Sequence, residues 1–237
     1  MNLVIDRGNT LIKAAIFEKA EPVYSIKTDD INQLRSFINQ YPYNQAILAS
    51  VGSNPERISK LVDKARLHIL NTDSLLPFNN KYKTARTLGA DRIAGIAGAI
   101  AMFPGKPVLV VDAGTCVTYD FADQDGNYYG GAISPGLLIR FKALNTFTAS
   151  LPLVSWDSSP VQLVGENTEE SILSGVINGL IEEVRGICSQ YRSRFKDIQL
   201  VFTGGDAKLF ETTIKEVIFV VPDLTLRGLN RILEFNR

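Results

Sequence analysis

Two segments of this chain repeat one pattern. "LVIDRGNTLIKAAIF" begins at Leu3 and "LVVDAGTCVTYDF" begins at Leu109. Each has three apolar strand residues, an aspartate, one variable residue, a glycine and a small polar residue, and then a second strand. Asp6 and Asp112 lie nearly half the chain apart. That spacing is too long for a solenoid repeat. It predicts a duplicated α/β domain in which each half opens with the same hairpin, the halves being residues 1–106 and 107–237.

The chemistry of the two hairpins is shared. A short, β-branched apolar run suits a strand buried on both faces. Gly8 and Gly114 allow positive φ and let backbone come close to a ligand. Asn9, Thr10 and Thr115 offer side-chain donors beside backbone N–H groups, a set that suits phosphate oxygens. An aspartate repels phosphate, so Asp6 and Asp112 are expected to hold a cation, or waters on a cation, that bridges to it. Asp-Gly is also ordinary hairpin chemistry. Its recurrence at matching places in both halves favours the phosphate reading. A third element, "QLVFTGGDAKLF", is a strand leading through Gly204-Gly205 into a helix, where bare backbone can meet a nucleotide's base and sugar.

Several classes lose support. Gly105-Lys106 is followed by Pro107, which rules out a P-loop, and no two glycines lie two apart, which rules out G-x-G-x-x-G. Lys+Arg and Asp+Glu both number 25, which argues against nucleic-acid binding through overall basicity. Two cysteines, Cys116 and Cys188, and a single histidine, His68, leave no Cys/His zinc site. No apolar run reaches the ~18 residues of a membrane span, and no signal-peptide pattern opens the chain. The expected compartment is the cytoplasm, with reduced core cysteines.

These pieces resemble the acetate and sugar kinase/actin superfamily. "DRGNTLIK", "YKTARTLGADRIAG", "VVDAGTCVTYD", "GGAISPGL", "TASLP", "GENTEESILSG" and "FTGGDA" follow the order seen in type III pantothenate kinases, across almost the whole chain. The resemblance implies two actin-like, ribonuclease H-like domains around a central cleft. It also implies phosphorylation of the primary hydroxyl of pantothenate by ATP, the first step of coenzyme A synthesis. Asp6, Arg7, Gly8, Asn9, Thr10, Leu11, Ile12 and Lys13 would then line the ATP phosphates, with Thr115 also contacting ATP and Mg2+ accompanying it. Asp112 would bind a monovalent cation, potassium or ammonium. Gly89, Ala90, Asp91 and Arg92 would border pantothenate, with Tyr82 adding a contact and Thr168 reaching it from the neighbouring subunit of a homodimer. Asp91 would accept the proton.

Local readings stand beside these roles. Ile93, Ile96, Ala97 and Ile100 fall at helical spacing, so a helix is expected to start near Gly89 with Asp91 in its first turn. A carboxylate is favoured there and can accept a hydroxyl proton, although it can equally serve only the helix start. Arg92 suits a substrate carboxylate, or pairs with Asp91. "GENTEESILSGVINGLIEEVRGICSQY" predicts one long amphipathic helix with Ile172, Val176, Leu180, Val184 and Ile187 as its stripe and Asn167 or Thr168 as N-cap. Gly175 and Gly179 share one face, as if another helix came close, in this chain or across a dimer. "NPERISKLVDKA" reads as a covering helix. "PFNNKYKTA" reads as a polar loop, and "NYYGGAISPGLLIRFKAL" as strand, turn and helix. Tyr82 can equally be a core aromatic.

Arg7 departs from the family, where an apolar β-branched residue follows this aspartate; the twin has Ala113. It either aims at a phosphate or faces away and pairs with a carboxylate of the same chain, and the second is favoured because the variable position should face away from the phosphates. Two other function classes stay open: a kinase of the same superfamily acting on another small molecule, and a non-enzymatic ATP-binding regulatory protein.

Overall fold

Leu3, Val4 and Ile5 are fully buried in the computed structural model, which describes residues 1–8, 11–50, 55–214 and 217–237. They belong to β1 (Asn2–Arg7), which is followed by β2 (Ile12–Glu18), β3 (Glu21–Thr28), α1 (Ile31–Gln40), β4 (Gln45–Ser50), α2 (Pro55–Ser59), β5 (Leu67–Ile69) and β6 (Asn79–Asn80). Next come α3 (Ala90–Met102), β7 (Val108–Ala113), β8 (Cys116–Ala122), β9 (Asn127–Pro135), α4 (Leu137–Thr146), α5 (Thr168–Leu173) and α6 (Gly179–Arg194). The chain finishes with β10 (Gln199–Thr203), α7 (Ala207–Thr213), β11 (Phe219–Val220) and α8 (Leu224–Phe235).

The duplication reaches the strand order. One sheet runs β3-β2-β1-β4-β5 and the other β11-β10-β7-β8-β9-β6. Reversed, the second sheet carries β9-β8-β7-β10-β11, the order of the first, with β6 added at one edge. Each hairpin aspartate therefore lies on the central strand of its sheet. β1 pairs antiparallel with β2 and parallel with β4, so both of its edges are occupied.

Packing divides the chain into two compact units. The first holds Met1–Val108, Phe121–Gly130 and Asp223–Arg237; the second holds Leu109–Asp120 and Gly131–Pro222. The expected halves, 1–106 and 107–237, differ from these in two places. β6 pairs with β9 at Asn79↔Asn127 and Asn80↔Tyr128, which joins the 121–130 hairpin tip to the first unit. The last helix, α8, also packs there.

Within the first unit, the two-residue period of β1 sorts its side chains. Leu3 and Ile5 join Ile12, Ala14, Ile16, Ala46 and Leu48 in a core closed by Leu34, Phe37 and Ile38 of α1. The opposite face carries Asn2, Val4 and Asp6. Asn2 donates to Asn230 Oδ1 of α8 (2.7 Å), and Asn230 donates to the Lys19 carbonyl (2.8 Å), so this buried amide pair is satisfied. α8 buries Leu224, Leu226, Leu229, Ile232 and Leu233. α3 is buried nearly all round, from Arg92 to Ala99, because it lies between other elements rather than at the surface. α3 and α8 meet at small residues. A Cβ on Gly228 would fall 1.7 Å from the Ala94 carbonyl oxygen, and one on Gly98 would fall 2.6 Å from that of Leu224.

The second unit centres on β7 and β10. Leu109, Val111, Leu200, Val201 and Phe202 are fully or almost fully buried, and the Phe202 ring lies 5.6 Å from that of Phe210 in α7. The expected long helix spans 168–194 but is not uniform. α5 and α6 are joined by a π turn at Ser174–Asn178. Two side chains of that turn bond the preceding segment: Ser174 Oγ donates to the Leu163 carbonyl (2.6 Å) and Asn178 Nδ2 to that of Gln162 (3.3 Å). Ile172, Val176, Leu180 and Val184 are buried, while Ile187 is half-exposed. Gly175 and Gly179 have open space where a Cβ would stand, so no helix of this chain approaches them among the described residues.

Two other expectations change. The covering helix over 54–65 is only the five residues of α2. Bonds from Leu61 N to the Ile58 carbonyl and from Val62 N to that of Ser59 tighten its end, and Asp63 then caps a separate 3-10 turn at Lys64–Arg66. The polar loop at 77–85 contains β6, because Asn79 N and Lys81 N find carbonyls at Gly126 and Tyr128.

Gly228→Ala drives a methyl into backbone and is expected to cost about 1–3 kcal/mol. Gly186→Ala in α6 meets nothing within 4 Å and is expected to stabilise by ~0.5–1 kcal/mol through helix propensity. Thermal melting of the two variants checks the opposite signs; equal shifts would contradict the tight α3–α8 crossing.

Candidate active site

The first unit carries the β1–β2 turn. Asp6 is 7% exposed, at the exit of β1, where its Cα is registered opposite Lys13. Directly opposed residues on an antiparallel pair share a face, so the Lys13 side chain stands on the side of Asp6. Gly8 N donates to the Leu11 carbonyl (3.0 Å) and closes the turn. Ile12 is buried, whereas Gly8 and Leu11 are part-exposed. Asn9 and Thr10 lie outside the described residues. Arg7 is registered opposite Ile12 and Ser50, on the face of Leu3 and Ile5 and opposite to that of Asp6. The ion pairs among the described residues do not include Arg7. It faces away from the aspartate, as expected, and among the described residues the expected carboxylate partner is not there.

Neither Gly8 nor Gly114 adopts positive φ. What the missing side chains leave is open backbone: among the described residues, a Cβ on Gly114 would meet nothing within 4 Å, and one on Gly8 only the Leu11 carbonyl at 3.5 Å. The positive φ that glycine allows is not used at either position; the uncovered backbone is.

The same unit brings together Tyr82, Gly89, Ala90, Asp91 and Arg92. α3 begins at Ala90 with Gly89 as N-cap, and Asp91 lies in the first turn as its spacing predicts. Gly89 cannot cap with a side chain, so Asp91 takes a bond instead: its Oδ1 accepts from Arg92 N (2.8 Å). That oxygen occupies the place a Gly89 Cβ would need, at 2.4 Å. The small residue therefore lets the carboxylate fold against the helix start. Arg92 is 9% exposed, and its guanidinium lies 5.5 Å from the centre of the Tyr82 ring. Tyr82 itself sets one edge of its ring against Gly130, where a Cβ would stand 2.6 Å from Cδ2 and 2.7 Å from Cε2.

The second unit gathers three sequence motifs at the exit of β7. Gly204 (φ +96°) sits so close that its Cβ would be 2.5 Å from Asp112 Oδ1 and 2.2 Å from the Ala113 carbonyl oxygen. Asp206 N donates to that same carbonyl (2.9 Å). From the other side, Gly136 N donates to the Thr115 carbonyl (3.1 Å), and a Gly136 Cβ would strike the carbonyls of Gly114 and Thr115. Only glycine fits at 136 and 204. Thr115 is exposed. Thr203 Oγ1, at the exit of β10, is buried with no partner among the described residues. Oxygen donors of this kind suit a hard cation. Among the described residues no three His, Cys, Asp or Glu side chains cluster as a cage. Single carboxylates such as Asp6 and Asp112 fit a cation that keeps waters and phosphate oxygens in its shell.

Beside the Gly204-Gly205 turn is a cavity of about 600 Å³, lined by Trp156, Ile177, Ile181, Asp206 and Leu209 among others. Asp206 occupies the N-cap position of α7 yet makes no capping bond, and burial pushes its carboxyl up from the ordinary carboxylate range. An uncompensated acid in a cavity is a functional-site signal. The sequence held the signal only as the last letter of "TGGD"; Trp156 had none beyond being the single tryptophan. Thr168, in the same unit, is the first residue of α5. Asn167 does the capping, accepting from Glu170 N (3.0 Å), so the exposed Thr168 hydroxyl is not needed for the cap.

Comparisons with known proteins agree with one another. A family model described as Type III pantothenate kinase matches residues 2–190. A type III pantothenate kinase of Christiangramia forsetii is 46% identical over 243 residues, covering 100% of this chain and 99% of that one. One of Phocaeicola vulgatus is 42% identical over 240 residues, with 100% and 99% coverage. Among solved structures, a glucokinase from an Antarctic psychrotroph matches with a TM-score of 0.54 at 12% identity, covering 99% of this chain and 98% of that one. That likeness speaks for the actin-like fold of the sugar kinases alone. With a family model over most of its length and full-length relatives above 40% identity, the chain belongs to the type III pantothenate kinase family.

Proposed function

We infer that this protein transfers the γ-phosphoryl group of ATP to the primary hydroxyl of pantothenate, giving 4'-phosphopantothenate, the first step of coenzyme A biosynthesis. The observation that carries the reading is the matched pair of hairpins, with Asp6 and Asp112 at the exits of two equivalent central strands, in a chain that aligns end to end with type III pantothenate kinases. The two halves are read as a duplication.

Roles follow from chemistry. The turn from Asp6 to Lys13 takes the ATP phosphates, apart from the Arg7 side chain, with the Lys13 ammonium supplying positive charge and open backbone at Gly8 supplying approach. Thr115 contacts ATP. Mg2+ travels with the nucleotide, and Asp112 holds potassium or ammonium, which would neutralise phosphate charge there. The cavity beside Gly205 receives the nucleoside, with Trp156 and Asp206 on its wall. Gly89, Ala90, Arg92 and Tyr82 border pantothenate, Arg92 facing its carboxylate and Thr168 adding a contact. Asp91 is the base: as the hydroxyl oxygen forms its bond to phosphorus, the proton passes to the carboxylate and ADP leaves.

A homodimer is part of the reading. The second unit exposes Ile133, Leu138, Phe147, Leu153, Leu163 and Val164, and Gly175 and Gly179 have open space before them. A second copy would cover such surface. Sedimentation at micromolar concentration is expected to give twice the chain mass, and a monomer would remove this element. No helix among the described residues is long and apolar enough to cross a membrane. The proposed site is cytoplasmic, with no nucleic-acid partner.

Pantothenate-dependent ADP release is expected to require potassium or ammonium. In Asp91→Asn it should fall ~10²–10⁴-fold, the usual contribution of acid–base catalysis, with ATP binding retained. Release without pantothenate specificity would point to another small-molecule kinase, and ATP binding with no acceptor alcohol to a regulatory protein. Calorimetric ATP affinity should stay within about twofold in Arg7→Ile, because that side chain leaves the Asp6 face, and should weaken about tenfold in Asp206→Ala, roughly the 1.4 kcal/mol of one hydrogen bond. The reverse ranking would reassign both residues.

A further inference from the structure

The end of β9 and the glycine after it, residues 131–136, are tied down by a closed circuit of hydrogen bonds in the second unit. It starts on β8, where the Tyr119 hydroxyl donates to Glu183 Oε1 of α6 (2.9 Å). Glu183 Oε2 accepts from Arg140 Nη2 of α4 (2.5 Å). Arg140 then holds the end of β9: Nη2 donates to Ser134 Oγ (3.0 Å) and Nε to the Pro135 carbonyl (2.8 Å). One residue on, Gly136 N donates to the Thr115 carbonyl. Thr115 leads directly into β8 and back to Tyr119. Side chains from β8, from α4 and from the sequence-distant α6 thus close, through the end of β9, on the turn that carries Asp112 and Thr115.

The parts of this circuit are matched to the task. Only a planar guanidinium can reach a carboxylate, a hydroxyl and a carbonyl together from fixed directions; an ammonium is a point charge on a flexible stem. Arg140 and Glu183 keep side-chain exposures of 21% and 27%, so the pair is partly shielded from solvent, where charge-assisted bonds are directional and firm. Burial alone would raise the Glu183 carboxyl, but bonds from Arg140, Ser134 and Tyr119 outweigh it and hold it below the ordinary carboxylate range. Burial and the neighbouring Glu183 charge push the Tyr119 hydroxyl upward, so it stays a donor. Each member is held in the state its bond needs. None of the residues 119, 140 and 183 is on the Asp112–Thr115 turn, so the circuit acts through the end of β9.

We propose that Arg140, Glu183 and Tyr119 are positioning residues for phosphoryl transfer, bracing the end of β9 and Gly136 against the Asp112–Thr115 turn so that the turn is set before nucleotide arrives. This rests on that turn being a phosphate turn. A preset turn avoids reorganisation during the reaction, and displacement of a reacting group by about 1 Å can cost ~10²-fold in rate.

The variants Arg140→Lys, Glu183→Gln and Tyr119→Phe keep charge or shape while breaking one link each. Expected are a kcat loss of at least about tenfold in the first two, raised KM for ATP, and an unchanged KM for pantothenate. The Arg140→Lys/Glu183→Gln double variant should lose little more than either single one, because one circuit can be opened only once. Melting curves confirm that the variants are folded at the assay temperature. Folded variants with parental kcat and ATP KM would overturn the proposal, as would additive losses or an equal rise in both KM values. Parent activity on pantothenate tests the kinase reading separately; if it is absent, calorimetric binding of Mg-ADP to the same variants still tests the circuit, with weaker binding in Glu183→Gln expected and parental binding overturning it.

Discussion

A carboxylate at the end of a strand buried on both faces is the constraint around which the molecule is arranged. Burying Leu3, Val4 and Ile5 costs nothing in unsatisfied backbone, because β2 and β4 take up the edges of β1. Such a strand cannot shift register without turning its whole apolar set around. Asp6 is therefore fixed in position by packing it does not share. The second sheet repeats the arrangement around β7, where Gly204 and Gly136 bring neighbouring backbone against the turn from two sides. Both sites inherit their rigidity from hydrophobic cores, while Gly8 and Gly114 leave backbone uncovered among the described residues.

The two units use different means to the same end. In the first, the polar machinery is short-range: Asp91 folds onto its own helix start, and Arg92 meets Tyr82. In the second, side chains from β8, α4 and α6 cooperate across long sequence separations. Asp206 adds an acid that burial disfavours in its charged form and that serves no cap. Natural proteins tolerate such a local loss of stability chiefly where a ligand repays it.

Much of this was legible in the sequence where the signal is local or repeated. The paired Asp-x-Gly hairpins give the duplication, and the strand order bears it out. The i, i+3, i+4 spacing after Gly89 places Asp91 in the first turn of α3, and the sequence narrows the start of α5 to a cap at Asn167 or Thr168, of which the structure uses Asn167. Features that depend on tertiary context were not legible. The π turn at 174–178 exists because Ser174 and Asn178 bond the chain before it, which periodicity does not record. Glycine at 8 and 114 suggests positive φ equally well whether or not the backbone adopts it. Arg140 and Glu183 look like ordinary helix-surface charges until α4 and α6 are set beside β9. The return of α8 to the first unit is likewise invisible, since its apolar stripe states only that some surface must cover it.

That return has a consequence for how the molecule comes into being. The first unit's sheet is synthesised early, yet the helix that covers the Asn2, Val4 and Asp6 face of β1, and supplies Asn230 to satisfy Asn2, belongs to the last fifteen residues, Asp223–Arg237. During vectorial synthesis the amino-terminal strands must wait, with the Asn2, Val4 and Asp6 face of β1 uncovered, until residues 223–237 have been made. Completion of the first unit is thereby coupled to the arrival of a segment made about two hundred residues after β1, and the nascent protein is most prone to association through that open face in the interval before α8 packs.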